Sequence, residues 1–300
     1  MRKMPVILDT DIGPDCDDAG ALAILDQFCL EGACELLAVT HCTGSPYGLP
    51  TISAINRLFG IRVPLGTCAD SGFLAGGDAL RYTPEVAKAF PNDYPQGAPQ
   101  PEAVRVFREA LEKAEDSSVT VIAIGPLNNL AAYLCDRAAA RLIAQKVERL
   151  IAMAGSFTPE SGFVEWNVEQ DIPAAHYVAR HWPTPILFCP FEAGEHILTG
   201  ASLVDYPDNP VSLAYRIHTN GGMLRPSWDL LTVLAAFEED GRLMPLSGTG
   251  RVDVDEHGAT LFAPEAGGPH RYMRPSLEPE ALTARLEALL LRALRSMRPA

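Results

Sequence analysis

Residues 6–25 read VILDTDIGPDCDDAGALAIL, and five aspartates (Asp9, Asp11, Asp15, Asp17 and Asp18) fall within ten of those positions. An apolar strand runs into an acidic loop, and the loop runs into an apolar helix. Carboxylates packed this closely repel one another and resist staying ionised in a folded chain. A hard divalent cation relieves the conflict, and carboxylate oxygens suit Ca²⁺ or Mg²⁺ better than a soft metal. A solvated loop capping a helix is the simpler reading, because Asp is favourable at a helix N-terminus. A cap needs one or two aspartates and no strand end before it, so the density points to a metal site.

The rest of the chain alternates in the same way. Strand-like runs occupy 6–9, 35–40, 119–124, 149–154 and 185–189. Helix-like runs occupy 19–29, 51–59, 102–113, 127–134, 173–180, 229–237 and 278–294. Alternation predicts an α/β fold with a mostly parallel, open, Rossmann-like sheet and helices on both faces. Ligands on such sheets bind outside the carboxyl ends of the strands, where Asp9, Gly125 and Gly155 fall. Residues 82–101, rich in proline and polar side chains, read as a loop, and 251–262 as a late β-hairpin turning at His257-Gly258. No repeat or composition break divides the 300 residues, so one domain over 1–300 is expected.

With 47% hydrophobic residues the chain can bury a sizeable core, and its formal charge of −14 argues against a nucleic-acid partner. The seven cysteines are odd in number and include no CxxC pair, so reduced thiols in a cytoplasmic protein are expected. Cys16 lies inside the acidic loop, where carboxylate surroundings make it a bystander more readily than a zinc ligand. No apolar run reaches the roughly 18 residues of a membrane span, and MRKMPVILD enters a strand without the features of a signal peptide.

Several segments together resemble one family. DTDIGPDCDD resembles the DxDPGxDD signature of the inosine-uridine-preferring nucleoside hydrolases, with Ile12 in place of proline and two extra residues before the final pair. AIGPLNNLA (123–131) resembles the family's GPLTNLA, and Asn128 stands where a backbone carbonyl is offered to calcium. MAGSFTPESGFVEWNVEQDIPAA, from Met153, resembles the stretch in which Glu165 and Asn167 match the pair that contacts ribose hydroxyls. PFEAGEHILTG (190–200) and SWDLLTVLAAF (227–237) resemble two later segments. Trp228 replaces the histidine that many members carry before the calcium-binding Asp229, and Gly44-Ser45 replaces the usual Gly-Asn after His41.

The resemblance implies the nucleoside hydrolase fold and calcium-dependent hydrolysis of the N-glycosidic bond of a ribonucleoside or related riboside. It implies Asp11 as base and calcium ligand, Asp18, Asp229 and the Asn128 carbonyl as further ligands, and Asp17 on a ribose hydroxyl. Asp15, in the inserted stretch, can replace either Asp17 or Asp18. Met153, Glu165, Asn167 and Trp228 are expected on the substrate, and His41 is close enough in sequence to reach it. The expected partner is a small-molecule riboside, and the expected assembly a homodimer or homotetramer. Two other readings compete. One is a non-catalytic or repurposed binder of a pentose-containing metabolite. The other is a haloacid-dehalogenase-like phosphatase, whose DxD opening LDTDIG also resembles, but which needs a later lysine and a second acidic pair far along the chain.

Overall fold

A computed structural model describes residues 3–95, 97–158, 163–238 and 240–298. Its strands are β1 (Met4–Thr10), β2 (Cys34–His41), β3 (Leu65–Thr67), β4 (Val119–Ala123), β5 (Val147–Met153), β6 (Ile186–Cys189), β7 (Leu198–Thr199), β8 (Arg225–Pro226), β9 (Gly250–Val254), β10 (Thr260–Pro264) and β11 (His270–Tyr272). Nine of them form one sheet in the order β10-β9-β11-β6-β5-β4-β1-β2-β3, and β7 pairs with β8 apart from it. From β3 through β6 to β11 every pairing is parallel, and at that edge β9 runs antiparallel to both β11 and β10. The mostly parallel open sheet agrees with the expectation from sequence.

Helices cover both faces: α1 (Asp17–Leu30), α2 (Gly48–Leu58), α3 (Thr83–Ala89), α4 (Ala103–Lys113), α5 (Asn128–Leu134), α6 (Arg137–Lys146), α7 (Trp166–Gln170), α8 (Ile172–His181), α9 (Phe191–Gly194), α10 (Pro210–His218), α11 (Trp228–Leu234) and α12 (Pro279–Ser296). Successive strand residues face opposite ways. In β1, Val6 and Leu8 enter the apolar layer under α1, α11 and α12, while Ile7 enters the layer under α4, α5 and α8. Because both faces of the strand are covered, β1 is a continuous apolar run. α1 is buried on nearly every side, which explains why it shows no polar stripe.

Two expectations need correction. Residues 82–101 are not wholly loop, because α3 lies among them. Pro84 sits in its first turn, but only Thr83 and Val86 of its seven residues are buried, too few to show a helical period. The runs 137–146 and 210–218, not anticipated as helices, are α6 and α10. The hairpin at 251–262 forms as expected, with Gly258 at φ +85° in its turn.

Along the sheet, β1 is followed by β2 and β3 on one side and by β4 to β6 on the other. The winding reverses between β1 and β4, and that switch point opens the crevice in which doubly wound folds bind ligands.

Candidate functional site

Asp9, the last acid within β1, is a strut. Its Oδ1 accepts from Thr40 Oγ1 at 2.5 Å and from Asn129 Nδ2 at 2.8 Å, tying β1 to β2 and to α5. Burial pushes its carboxyl up to about 7 against those two hydrogen bonds. Asp11 lies two residues on, where β4 also exits. Gly125 permits the approach, because a Cβ there would lie 2.7 Å from Asp11 Oδ1 and from Cys42 Sγ. At Gly13 the backbone has φ +154° and passes so close to the Ala79 carbonyl that a Cβ would meet it at 2.5 Å. The loop therefore turns sharply and delivers its remaining acids to the first turn of α1.

There the carboxylates gather. Oxygens of Asp17, Asp18 and Asp229 lie within 4.8 Å of one another, and Asp11 interacts directly with Asp18. Thr10 Oγ1 donates to Asp18 Oδ1 at 2.5 Å, and the Asp229 N–H donates to Asp17 Oδ2 at 3.0 Å. All four residues are at most 4% exposed. Burial pushes each carboxyl well above the usual range, and the neighbouring carboxylates push it further. Among the described residues no ion pair reaches any of the four. Arg225 eases Asp17 through space, but four buried hard-oxygen donors crowded together still fit Ca²⁺ or Mg²⁺. A soft metal does not fit the neighbouring group of Asp15, Cys16 and His218. Burial and the surrounding aspartates keep Cys16 protonated, and Asp15 is engaged elsewhere.

Asp15 departs from the expected ligand set. Both its oxygens accept from Arg225 Nε, at 2.9 and 3.0 Å, and Arg225 Nη2 donates to Oδ2. His218 Nε2 stands 3.4 Å from Oδ1. Burial alone would raise this carboxyl, yet Arg225 and His218 bring it below the usual range. His41 is also displaced from its expected role. Its ring is fully buried against Gly48 and exchanges hydrogen bonds with Thr43 and Thr67, at 3.2 and 3.4 Å. Burial depresses it to about 4, and it does not line the cleft. Asn128, at the first position of α5, turns its carboxamide to the Cys42 carbonyl at 2.9 Å.

The cleft above the acids measures about 550 Å³. Asp11, Asp17, Asp18 and Asp229 form its floor, and Met153, Glu165 and Asn167 line one wall. Glu165 caps α7, accepting from the N–H groups of Asn167 (2.8 Å), Val168 (3.2 Å) and Gly155 (3.0 Å). Burial nonetheless raises its carboxyl to about 7. Asn167 Nδ2 donates to the Met153 carbonyl at 3.1 Å, so three expected substrate contacts are linked. Residues 159–162 of this segment lie outside the described residues.

Trp228 also lines the cleft. Its Nε1–H donates to the Phe191 carbonyl at 2.7 Å, and its ring stacks on Phe191 at 5.4 Å. The Arg225 guanidinium lies 5.3 Å from the indole centroid. Arg225, His218, Phe191 and Arg81 line the cleft and were not anticipated from sequence. The only local hint was an arginine three residues before Trp228.

A sheet wound in this order, with buried acids at its switch point, defines a doubly wound α/β protein with a candidate metal-binding cleft. The chain belongs to the inosine-uridine preferring nucleoside hydrolase family, whose sequence profile matches residues 6–271. That match sets aside the phosphatase reading. Its fold is similar to that of an inosine-guanosine nucleoside hydrolase, with a TM-score of 0.74 at 20% identity over 100% of both chains. A purine-preferring ribonucleoside hydrolase from Gardnerella vaginalis gives 0.72 at 18% identity, covering 96% of this chain and 99% of that one. The type III effector XopQ, solved with adenosine diphosphate ribose, gives 0.73 at 19%, covering 97% and 94%. At these identities the likeness carries the fold alone. No curated protein matches the sequence. Among the described residues no helix is long and apolar enough to cross a membrane.

Proposed function

We propose that the protein hydrolyses the N-glycosidic bond of a ribonucleoside or related riboside, releasing ribose and base, with Ca²⁺ as cofactor. The observation that carries this reading is the set of four buried carboxyls at the switch point that no ion pair reaches among the described residues. Asp11, Asp18, Asp229 and the Asn128 carbonyl would hold the cation, with Asp17 close enough to share it. When bound, calcium supplies Lewis acidity and a template for the attacking water and the 2′ and 3′ hydroxyls.

The chain's own groups do the rest. Asp11 takes the proton from the attacking water as the anomeric carbon gains oxocarbenium character. Asp17 accepts a hydrogen bond from a ribose hydroxyl, and Glu165 and Asn167 hold the sugar's other hydroxyls at the Met153 wall. Trp228 and Phe191 present a flat apolar face to the base. Trp228 cannot protonate the leaving group, since an indole N–H is not an acid near neutral pH and this one is donated to Phe191. The leaving group therefore departs with its own electron pair, or takes a proton from water or from another acid of the cleft. The protein works in this reading as a cytoplasmic homodimer or homotetramer on a small-molecule riboside.

A second reading, a non-catalytic binder of a pentose-containing metabolite, is favoured by the same Trp228 hydrogen bond, which leaves no acid identified beside the base. One screen separates the two. Purified protein is offered ribonucleosides, deoxyribonucleosides and other ribosides with reducing sugar as readout. Sugar release from at least one riboside is expected. Saturable binding without release, with calcium present, would establish the binder instead.

A further inference from the structure

The far end of α1 carries chemistry that the cleft does not use. The helix closes in a Schellman motif: the Gly32 N–H donates to the Cys29 carbonyl at 3.0 Å and the Ala33 N–H to the Phe28 carbonyl at 2.9 Å. Gly32, at φ +78°, turns the chain back on itself. The next strand, β2, begins at Cys34, and the turn sets the Cys29 and Cys34 sulfurs 2.7 Å apart. Cys29 is half-buried at the surface, whereas Cys34 is buried beneath it.

The two thiols are not equivalent. The hydrogen bond from Cys34 holds the Cys29 thiol below its usual range, and Lys3 adds positive charge on the same side. That bond and burial push the Cys34 thiol up, and Asp26 raises it further. Asp26 is itself fully buried, with neither carboxylate oxygen hydrogen-bonded. The pair thus sets a half-buried sulfur in contact with a buried one, the juxtaposition that closure to a disulfide by thiol–disulfide exchange requires. Of the other cysteines, Cys16, Cys42, Cys68 and Cys189 are buried, and exposed Cys135 stands on another helix end.

We propose that Cys29 and Cys34 form a dithiol that closes reversibly to a disulfide, with Cys29 reacting first with a low-molecular-weight disulfide. The Cys29 thiolate attacks one sulfur of that disulfide, whose S–S bond breaks and expels a thiolate that takes up a proton. Cys34 then loses its proton and attacks Cys29 Sγ, breaking the mixed disulfide and expelling the second thiol. Two protein thiols are oxidised by two electrons, and the small disulfide is reduced to two thiols. The bridge pins the end of α1 to β2, while the first turn of the same helix carries Asp17 and Asp18. The expectation of reduced thiols throughout then holds only for the other cysteines.

The test uses the intact native protein with oxidised glutathione, followed by acid quenching, denaturing alkylation and mass spectrometry. Cleavage after Glu31 separates the two cysteines. The expected product is lighter by two hydrogens before alkylation, has every other cysteine alkylated, and joins two peptides through Cys29 and Cys34. Cys34→Ser should stop at a glutathione adduct on Cys29, and Cys29→Ser should acquire no adduct at Cys34. A stable glutathione adduct on Cys29 of the unmodified chain, a bridge to another cysteine, or full alkylation of both residues would overturn the proposal.

Discussion

The backbone N–H of Asp229 donates to the carboxylate of Asp17 at 3.0 Å, joining residues 212 positions apart. This bond brings the start of α11 to the start of α1 and completes the ring of acids. Dialysed protein is expected to retain about one calcium ion per chain, as hard-oxygen coordination implies. Asp229→Asn should lower that content, because it removes a charged donor and leaves the fold's apolar layers untouched. Elemental analysis checks both. Stoichiometric zinc that disappears in Cys16→Ser would show that the loop was misread.

Asp11 combines two duties in this account. Asp11→Asn should lower kcat by more than about a thousandfold while circular dichroism remains unchanged. Near-normal turnover in a calcium-loaded Asn variant would move the base to another aspartate.

Trp228 stacks on Phe191 and cannot act as an acid. A riboside with a good leaving group, such as p-nitrophenyl riboside, should be cleaved far faster than inosine or uridine. Trp228→Ala should raise KM at least as much as it lowers kcat, since stacking contributes to ground-state binding. Comparable kcat/KM for inosine and the nitrophenyl riboside would reveal an unrecognised acid.

The acidic loop was legible in the sequence because its charges are adjacent along the chain, and the alternation of strands and helices placed β1, β2, β4, β5 and β6 within a few residues of their observed limits. Long-range pairings were not legible. Nothing in the sequence around Asp15 shows that Arg225 neutralises it from 210 positions away, so Asp15 read as a spare ligand. His218 escaped notice because it ends α10, a helix that was not anticipated. His41 read as a possible ligand contact because sequence places it at a strand end but cannot show that Gly48 closes over its ring.

The Asp15–Arg225 pair yields a stability prediction. Arg225→Gln leaves the Asp15 carboxylate facing four other acids and should cost about 1.5–3 kcal/mol, the range for a hydrogen bond to a charged group. Asp15→Asn in the same chain should recover part of that loss, which a double-mutant cycle in urea measures. Strict additivity of the two changes would show that the pair contributes nothing.

Glu165 makes stability depend on pH. Its folded-state value of about 7 lies above the roughly 4.3 of an unfolded glutamate. Its contribution is therefore fully present below about pH 4 and is lost as the pH rises to about 7. Glu165→Gln removes the titration and keeps one acceptor oxygen, for the Gly155 and Val168 N–H groups or for that of Asn167, so its pH-independent cost is separate from the pH-dependent difference. Relative to the unmodified protein, the variant should gain on the order of 3 kcal/mol across that window. Urea unfolding over a pH series reads the difference, and a pH-independent difference would contradict the assignment.

In the proposed function, the buried acids hold a calcium ion on which riboside cleavage depends. That dependence is tested most directly by following ribose release from p-nitrophenyl riboside after chelation and after calcium is restored. Release should stop with the chelator, return with stoichiometric Ca²⁺, and not return in Asp11→Asn. Undiminished release from a chain shown to be free of metal would contradict that dependence.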